Sequence, residues 1–317
     1  MKILITGIHG FVGTNLVAAL KPNHTIYGLD IIAPTKSGVV KTFSWNELEL
    51  LPSIDAVIHL AGKAHDTKNQ AEAQVYFDIN TGLTKKVYDW FLQSEARKFI
   101  FFSSVKAAAD KVEGAFLTED VVPLPKGPYG ESKIAAEKYL LSCTPFLKQN
   151  EVDGIRKFTY ILRPCMIHGP GNKGNLNLLY KLVSKGIPWP LGAFDNRRSF
   201  CSVDNLSFVV ENLIEKEIES GIYQVGDDES LSTNELITLI ADTLDRPERI
   251  WKFNKSCIEL AAKIGTVIHF PLNTQRLQKL TENYVVSNQK IKKALGIDKM
   301  PVRATEGLQK TIAGFSA

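Results

Sequence analysis

Residues 2–16 read KILITGIHGFVGTNL. Lys2 to Thr6 is a short apolar run that stops at Gly7, the pattern of a buried strand. From about Val12 to Leu20 the apolar residues return at helical spacing. Between the two stand Gly7, Gly10 and Gly13, three apart. Glycine is needed where a backbone turns tightly or must approach another backbone or a phosphate. A helix that opens there offers free N–H groups and the positive end of its dipole, which suits an anion. Strand, glycine turn and helix in this order predict the first βα unit of a parallel sheet. The spacing G-x-x-G-x-x-G differs from the G-x-G-x-x-G dinucleotide fingerprint, and such glycines also serve plain capping turns.

Outward from this unit the theme repeats. TIYGLD (25–30), DAVIHLAG (55–62), KFIFFSS (98–104) and FTYILRP (158–164) are short apolar runs, the last stopped by proline. Helical periodicity is clear in YFDINTGLTKKVYDWFLQ (76–93). This alternation predicts an α/β fold, a Rossmann-type doubly wound parallel sheet covered on both faces. After Pro164 the style changes, and Gly, Pro and Asn crowd residues 165–200 around one helix. GIYQVGDDESLSTNELITLIADTL (221–244) reads as a strand, a loop and a helix capped near Ser232 or Thr233, with Glu235 placed to help. SNQKIKKALG (287–296) reads as a helix with a glycine stop. The expected organisation is a dinucleotide-binding domain over 1–164, to which about 201–225 returns, and a smaller C-terminal α/β substrate-binding region over 165–317.

Composition narrows the class. With 317 residues, 44% hydrophobic and 23% charged, the chain can bury a large core and reads as soluble and globular. A net charge of +4 without a basic block argues against a nucleic-acid face. No run reaches the ~18 apolar residues of a span, and MKILITGIHGF meets two glycines too early for a signal sequence. No membrane contact and a cytoplasmic location are therefore expected. Cys143, Cys165, Cys201 and Cys257 are widely spaced, and the six histidines form no H-x-x-x-H pair. Free thiols in a reducing compartment are expected, and no metal site.

Two further patterns carry chemistry. Asp30 ends the second run, 23 residues after Gly7. A carboxylate there can accept both hydroxyls of an adenosine ribose and repels a 2′-phosphate. Ile31 and Ile32 follow it, not arginine, so the pattern predicts NAD rather than NADP. The plainer alternative is a capping turn beside a surface aspartate. Tyr129 and Lys133, in YGESKIAAEKYLL (129–141), lie one helical turn apart on one face. Such pairs are common in amphipathic helices. Read chemically, the ammonium favours phenolate, lowers a pKa of about 10 and makes Tyr129 a usable acid/base.

Taken in order, TGIHGFVG (6–13), GLD (28–30), HLAG (59–62), DINTG (78–82), FFSS (101–104), YGESK (129–133), LRP…HGPG (162–171) and RRSFCSVDNL (197–206) resemble the extended short-chain dehydrogenase/reductases that act on nucleotide sugars, the NAD-dependent epimerase/dehydratase family. The resemblance implies that Ser104, 25 residues before Tyr129, hydrogen-bonds the reacting sugar oxygen, with Ser103 as the neighbouring candidate. It implies that Tyr129 is the acid/base and that Lys133 lowers its pKa and holds the nicotinamide ribose. The cofactor set it implies is Gly7, Gly10, Phe11, Val12, Gly13, Asp30, Ile31, Leu60, Ala61, Gly62, Asn80, Tyr129, Lys133 and Pro164. Within it, Leu60 to Gly62 border the middle of NAD, and Pro164 lies beside the nicotinamide. Asn80 supports the catalytic helix, or is an ordinary helix-interior amide. Asn175 and Arg198 are implied for the nucleotide diphosphate, Arg198 by its fork of donors, with Arg197 adjacent. Trp189 and Leu191 are implied for a uracil; the other reading of Trp189 is a proline-flanked core residue.

Departures from the family pattern narrow the expected chemistry. Sugar 4,6-dehydratases carry Asp–Glu after a Thr where this chain has Ser104–Val105–Lys106, so the extra acid and base for eliminating water are absent. The 4-epimerases usually place an asparagine where Met166 stands, and their later substrate-binding arginine has no clear match near LTENYVVS (280–287). The stretches from Gly169 to Phe200 and from Gly226 to Ile237 resemble a bacterial surface-polysaccharide subgroup that reduces UDP-linked 4-keto-6-deoxy-N-acetylhexosamines. Asp30 counts the other way, since NAD suits the shuttle of an epimerase. FSW (43–45) departs from the usual adenine contact. The expectation is an NAD(H)-dependent nucleotide-sugar oxidoreductase acting at C4 of a UDP-hexose or UDP-N-acetylhexosamine. A 4-keto reductase comes first, a 4-epimerase with tightly held NAD second, and a catalytically silent NAD or nucleotide-sugar sensor third. A homodimer is compatible with each.

Overall fold

A computed structural model describes residues 1–63, 72–147, 151–152, 155–172, 174–267 and 273–315. β1 (Lys2–Thr6), α1 (Phe11–Leu20), β2 (Thr25–Leu29), β3 (Thr42–Phe43) and β4 (Ala56–His59) open the chain. α2 (Ala73–Tyr76) passes through a π-helical turn, Phe77–Gly82, into α3 (Leu83–Gln93). Next come β5 (Lys98–Phe102), α4 (Val105–Ala108), α5 (Pro128–Leu147), β6 (Glu151–Val152), β7 (Ile155–Arg156) and β8 (Phe158–Pro164). The C-terminal part holds β9 (Met166–His168), α6 (Asn175–Ser184), β10 (Arg198–Ser202), α7 (Val203–Glu215), β11 (Gly221–Val225) and β12 (Ser230–Leu231). It closes with α8 (Thr233–Thr243), α9 (Lys255–Val267), α10 (Thr274–Thr281), α11 (Gln289–Leu295) and α12 (Ala304–Ala313).

Seven strands form one parallel sheet in the order β11-β8-β5-β4-β1-β2-β3. The chain runs outward from β1 to β3, then returns to β4 on the other side of β1. Loops therefore diverge beyond the carboxyl ends of β1 and β4, where a crevice opens in sheets of this kind. The two-residue alternation of the strands divides the core. Ile3, Ile5, Ile58 and Ile100 pack on one face with Leu16 and Val17 of α1 and with Leu206, Val209 and Leu213 of α7. Leu4, Val57, Phe99 and Phe101 pack on the other with Val87 and Phe91 of α3 and Ala136 and Leu140 of α5. Strands buried on both faces read as continuous apolar runs, which is why they stand out in the sequence.

Two buried lysines tie helix ends to the sheet. Nζ of Lys157 donates to the carbonyls of Phe91 (3.0 Å), Ser94 (2.6 Å) and Ala96 (2.8 Å), at the end of α3. Nζ of Lys98 donates to those of Leu213 (3.0 Å), Ile214 and Lys216 (2.7 Å), at the end of α7. A cation suits the negative pole of a helix. The C-terminal elements build a core of their own around Leu176, Trp189, Phe200, Leu236, Ile240 and Leu308. Ser232 caps α8 and exchanges a reciprocal pair of bonds with Glu235, while Gly296 ends α11 at φ +71°. All four cysteines are free. Among the described residues no helix is long and apolar enough to cross a membrane.

Candidate active site

The glycine turn is shaped by contacts that leave no room for side chains. Gly7 has φ +66°, and a β-carbon on it would stand 2.9 Å from Cα and N of Ala61. One on Gly13 would stand 2.7 Å from the carbonyl oxygens of Gly7 and Ile8. The turn thus packs at backbone distance against the exit of β4 below and against α1 above. Gly10 precedes α1 as its capping residue. The first-turn N–H groups of α1, those of Phe11 and Val12 among them, have no acceptor within the helix and form a seat for an anion. A cradle that a single β-carbon would fill fits a dinucleotide pyrophosphate.

Asp30 follows β2 and accepts the N–H of His9 at 3.0 Å and of Ile31 at 2.7 Å. The bonds fix its carboxylate at the mouth of the turn, still partly exposed, and Ile31 beside it is 83% exposed. A cation does stand nearby in space: Nζ of Lys36 donates to the Ile8 carbonyl at 2.9 Å and to Thr14 Oγ1 at 2.8 Å. Burial lowers the Lys36 pKa, and the charge of Asp30 opposes this. A lysine reaching back across a loop leaves no local pattern, so only the fold reveals it.

β4 ends in His59, which is fully buried. Its Nδ1 lies 2.7 Å from Thr6 Oγ1 and its Nε2 lies 3.0 Å from Thr84 Oγ1. Thr84 gives its own proton to the Asn80 carbonyl at 2.6 Å, so Nε2 of His59 must be the donor to Thr84. Nδ1 then accepts from Thr6, whose oxygen accepts the N–H of Ala61 at 3.0 Å. Burial, with the Lys133 charge, pushes His59 down to about 3, which keeps the ring neutral. A polar relay with an assigned tautomer thus joins the backbone of Ala61 to that of Asn80.

Asn80 sits in the π-helical turn and is fully buried. Its Oδ1 accepts Lys63 N–H at 2.8 Å, and its Nδ2 donates to the Lys63 carbonyl at 3.2 Å and to Ser132 Oγ at 2.9 Å. It clamps the loop after β4 to α5, one residue before Lys133. A π-turn often marks a functional site. Here it carries this amide.

α5 presents Tyr129 and Lys133. The Tyr129 phenol is hydrogen-bonded to the Ser104 side chain. Ser104 follows β5, and its Oγ also caps α4 by accepting Lys106 N–H at 3.2 Å. Lys133 is 4% exposed and donates to the Phe102 carbonyl at 2.8 Å. A β-carbon on Gly62 would stand 2.9 Å from Asn80 Oδ1 and 3.1 Å from Lys133 Nζ. Gly62, Asn80, Lys133 and the Ser104–Tyr129 pair therefore gather beyond the carboxyl ends of β4 and β5. Burial pushes Lys133 down to about 8, with Glu137 opposing. The expected lowering of the Tyr129 phenol is not what the structure shows. Burial dominates and holds it above its ordinary value, against the Ser104 bond.

Ser103 faces the other way. Its hydroxyl donates to Glu137, which also accepts Arg163 Nε at 3.0 Å and Nη2 at 2.6 Å in a fully buried pair. Strand alternation separates the two serines and leaves Ser104 as the one beside Tyr129. Pro164, buried, ends β8 next to β5 in the sheet.

A cavity of about 180 Å³ opens in the C-terminal region. Arg198, Lys279 and Thr233 line it with apolar side chains that include Met166, Leu176 and Phe200. Nη2 of Arg198 donates to the Lys279 carbonyl, while its Nε is buried and has no hydrogen-bond partner among the described residues. Burial lowers the Arg198 pKa and Glu282 opposes this. Lys279 is a residue the sequence pattern did not single out, because no local motif marks it and it meets Arg198 only through the fold. Arg197 turns aside to the Ser230 carbonyl (3.0 Å) and Glu235 (3.3 Å). Trp189 and Leu191 are 6% and 3% exposed in the C-terminal core and do not line this cavity. Backbone pairing with Ile250 and Lys252 holds them there. Asn175 opens α6 at the cavity, but its side chain lies outside the described residues.

The family model described as "NAD dependent epimerase/dehydratase family" matches residues 3–226. A "UDP-glucose 4-epimerase" of Vibrio cholerae is 31% identical over 329 residues, covering 99% of this chain and 95% of its own. A "GDP-6-deoxy-D-mannose reductase" of Pseudomonas aeruginosa is 26% identical, over 76% of this chain and 79% of that one. Among solved structures, the enzyme WbmG of Bordetella bronchiseptica, solved with NAD and UDP, has a TM-score of 0.74 at 17% identity, covering 99% of this chain and 93% of that one.

Proposed function

Because the chain belongs to the NAD dependent epimerase/dehydratase family, we propose that it moves hydride between NAD(H) and C4 of a UDP-hexose or UDP-N-acetylhexosamine. Its working reaction is a 4-keto reduction that supplies surface-polysaccharide precursors. The observation that carries this reading is the Ser104–Tyr129 hydrogen bond beside buried Lys133, on the same edge of the sheet as the glycine turn.

NAD(H) supplies the hydride. The chain's residues do the rest. The turn from Gly7 to Gly13 and the start of α1 seat the pyrophosphate. Asp30 takes the ribose hydroxyls. The missing side chain at Gly62 leaves space in which Lys133 Nζ can meet the nicotinamide ribose. Ser104 donates to the C4 oxygen, and Tyr129 gives that oxygen a proton as the ketone becomes an alcohol. The phenolate left behind is offset by the Lys133 ammonium. Arg198, whose buried Nε has no partner among the described residues, and Lys279 meet the diphosphate.

Met166 favours the reductase. It lines the cavity and offers no side-chain hydrogen bond where epimerases usually place an asparagine. A second reading, a 4-epimerase, is favoured by the 31% identity to the Vibrio cholerae protein. A silent sensor would not need Ser104, Tyr129 and Lys133 together. Mass spectrometry of the protein as purified separates the first two. An empty cofactor site supports the reductase, and one retained NAD per chain supports the epimerase.

A further inference from the structure

α9 has apolar side chains on two sides. Ile258, Ala262 and Gly265 turn inward, Ala262 being 1% exposed. Cys257, Leu260 and Ile264 form a second stripe, where Leu260 is 59% and Ile264 is 52% exposed. Just ahead of the helix stand Trp251 and Phe253, also exposed, with their rings edge-on at 5.8 Å. α10 packs against α9 and carries Leu280 to the rim of the Arg198 cavity, so this face is joined to the candidate substrate site. Large exposed apolar surface of this kind calls for a partner.

Charge says which partner. Residues 246–266 hold Arg246, Arg249, Lys252, Lys255 and Lys263 against only Glu248 and Glu259. The whole chain is nearly balanced, 38 cations to 34 carboxylates. Thr238 already donates to Glu248 at 2.7 Å. Exposed tryptophan, phenylalanine and leucine on a segment rich in lysine and arginine match the boundary of an anionic bilayer, where rings and aliphatic chains enter and ammonium groups meet phosphates. A second copy of this chain would bring the same cations against these.

We propose that the face formed by Trp251, Phe253, Leu260 and Ile264 seats this protein on an anionic lipid surface. This is contact with a membrane, not a span of it. The expectation of no membrane contact rested on the missing span and signal segment and did not address a surface helix. The inference does not depend on which C4 reaction the site performs.

Co-sedimentation of the full chain with vesicles tests it. Phosphatidylglycerol–phosphatidylcholine vesicles should bind the protein, and phosphatidylcholine vesicles should not. Binding should weaken as salt rises from about 0.1 to about 0.5 M. The double variant Leu260→Glu/Ile264→Glu should lose about tenfold or more in partitioning, while NADH affinity is unchanged. Should that variant melt early, Trp251→Ser/Phe253→Ser reads the same contact. Absence of binding to the anionic vesicles, or equal binding by the variants, overturns the proposal. So does a dimer in light scattering that the same substitutions convert to monomers, since a second copy would then cover the face.

Discussion

A β-carbon at position 62 would lie 3.1 Å from Nζ of Lys133 and 2.9 Å from Oδ1 of Asn80. The loop after β4 and helix α5 therefore share one small space, and the absence of a side chain is a condition of that packing. Gly62→Ala must displace either the ammonium or the amide. NADH affinity and turnover should both fall, turnover by about tenfold or more, while the melting temperature changes little. Fluorescence titration of NADH and steady-state rates check this.

Tyr129→Phe keeps the ring and removes the proton donor. Turnover should fall by about 10²–10⁴-fold with NADH affinity unchanged. Ser104→Ala should follow it in kind, whereas Ser103→Ala should act on stability through the buried Glu137–Arg163 pair instead. A Ser103 variant slower than the Ser104 variant, at normal stability, would reverse the assignment of the two serines.

The adenosine end should prefer NADH to NADPH, because the Asp30 carboxylate favours ribose hydroxyls over a phosphate. Asp30→Ala should narrow the preference. Lys36→Met, by removing the cation that faces Asp30, should widen it. Equal affinity of the native chain for both cofactors would contradict the role given to Asp30.

His59 makes stability depend on acid. Its pKa of about 3 in the fold lies below the ordinary 6.5. Between those values the unfolded chain takes up a proton that the folded chain refuses, so stability falls as pH drops through the window. The slope is about 1.4 kcal/mol per pH unit at most. Urea unfolding at about pH 6.5 and about pH 4.5 should show a loss steeper by about 2 kcal/mol in the native chain than in His59→Gln. Parallel pH dependence in the two would mean that the imidazole is not held neutral.

Arg198→Ala should weaken UDP or UDP-sugar binding by about 1.5–3 kcal/mol and leave NADH binding intact. Lys279→Met should act in the same direction with a smaller effect. Calorimetric titration with UDP reads both. Unchanged UDP affinity in Arg198→Ala would place the diphosphate elsewhere.

Much of this was legible in the sequence for a physical reason. β1, β5 and β8 are buried on both faces, so they read as largely apolar runs. The cap at Ser232 and the stop at Gly296 have chemistry of their own. β3 is two residues long and had no pattern to show. The proposed catalytic pair was visible because Tyr129 and Lys133 are local neighbours on one helix. Lys36 and Lys279 were not, because each meets its partners across loops or between separate elements. Trp189 illustrates the limit: prolines on both sides suit a binding pocket or a core equally well, and only packing against the C-terminal helices places it in the core.

The most direct test of the central claim follows the cofactor during turnover. With a UDP-linked 4-keto-6-deoxy-N-acetylhexosamine and NADH, absorbance of the reduced nicotinamide should fall by one equivalent per ketone consumed. Chromatography should show little exchange between UDP-glucose and UDP-galactose, or between their N-acetylated forms. Rapid epimerisation of either pair without added cofactor, and with no net oxidation of NADH, would contradict the reductase.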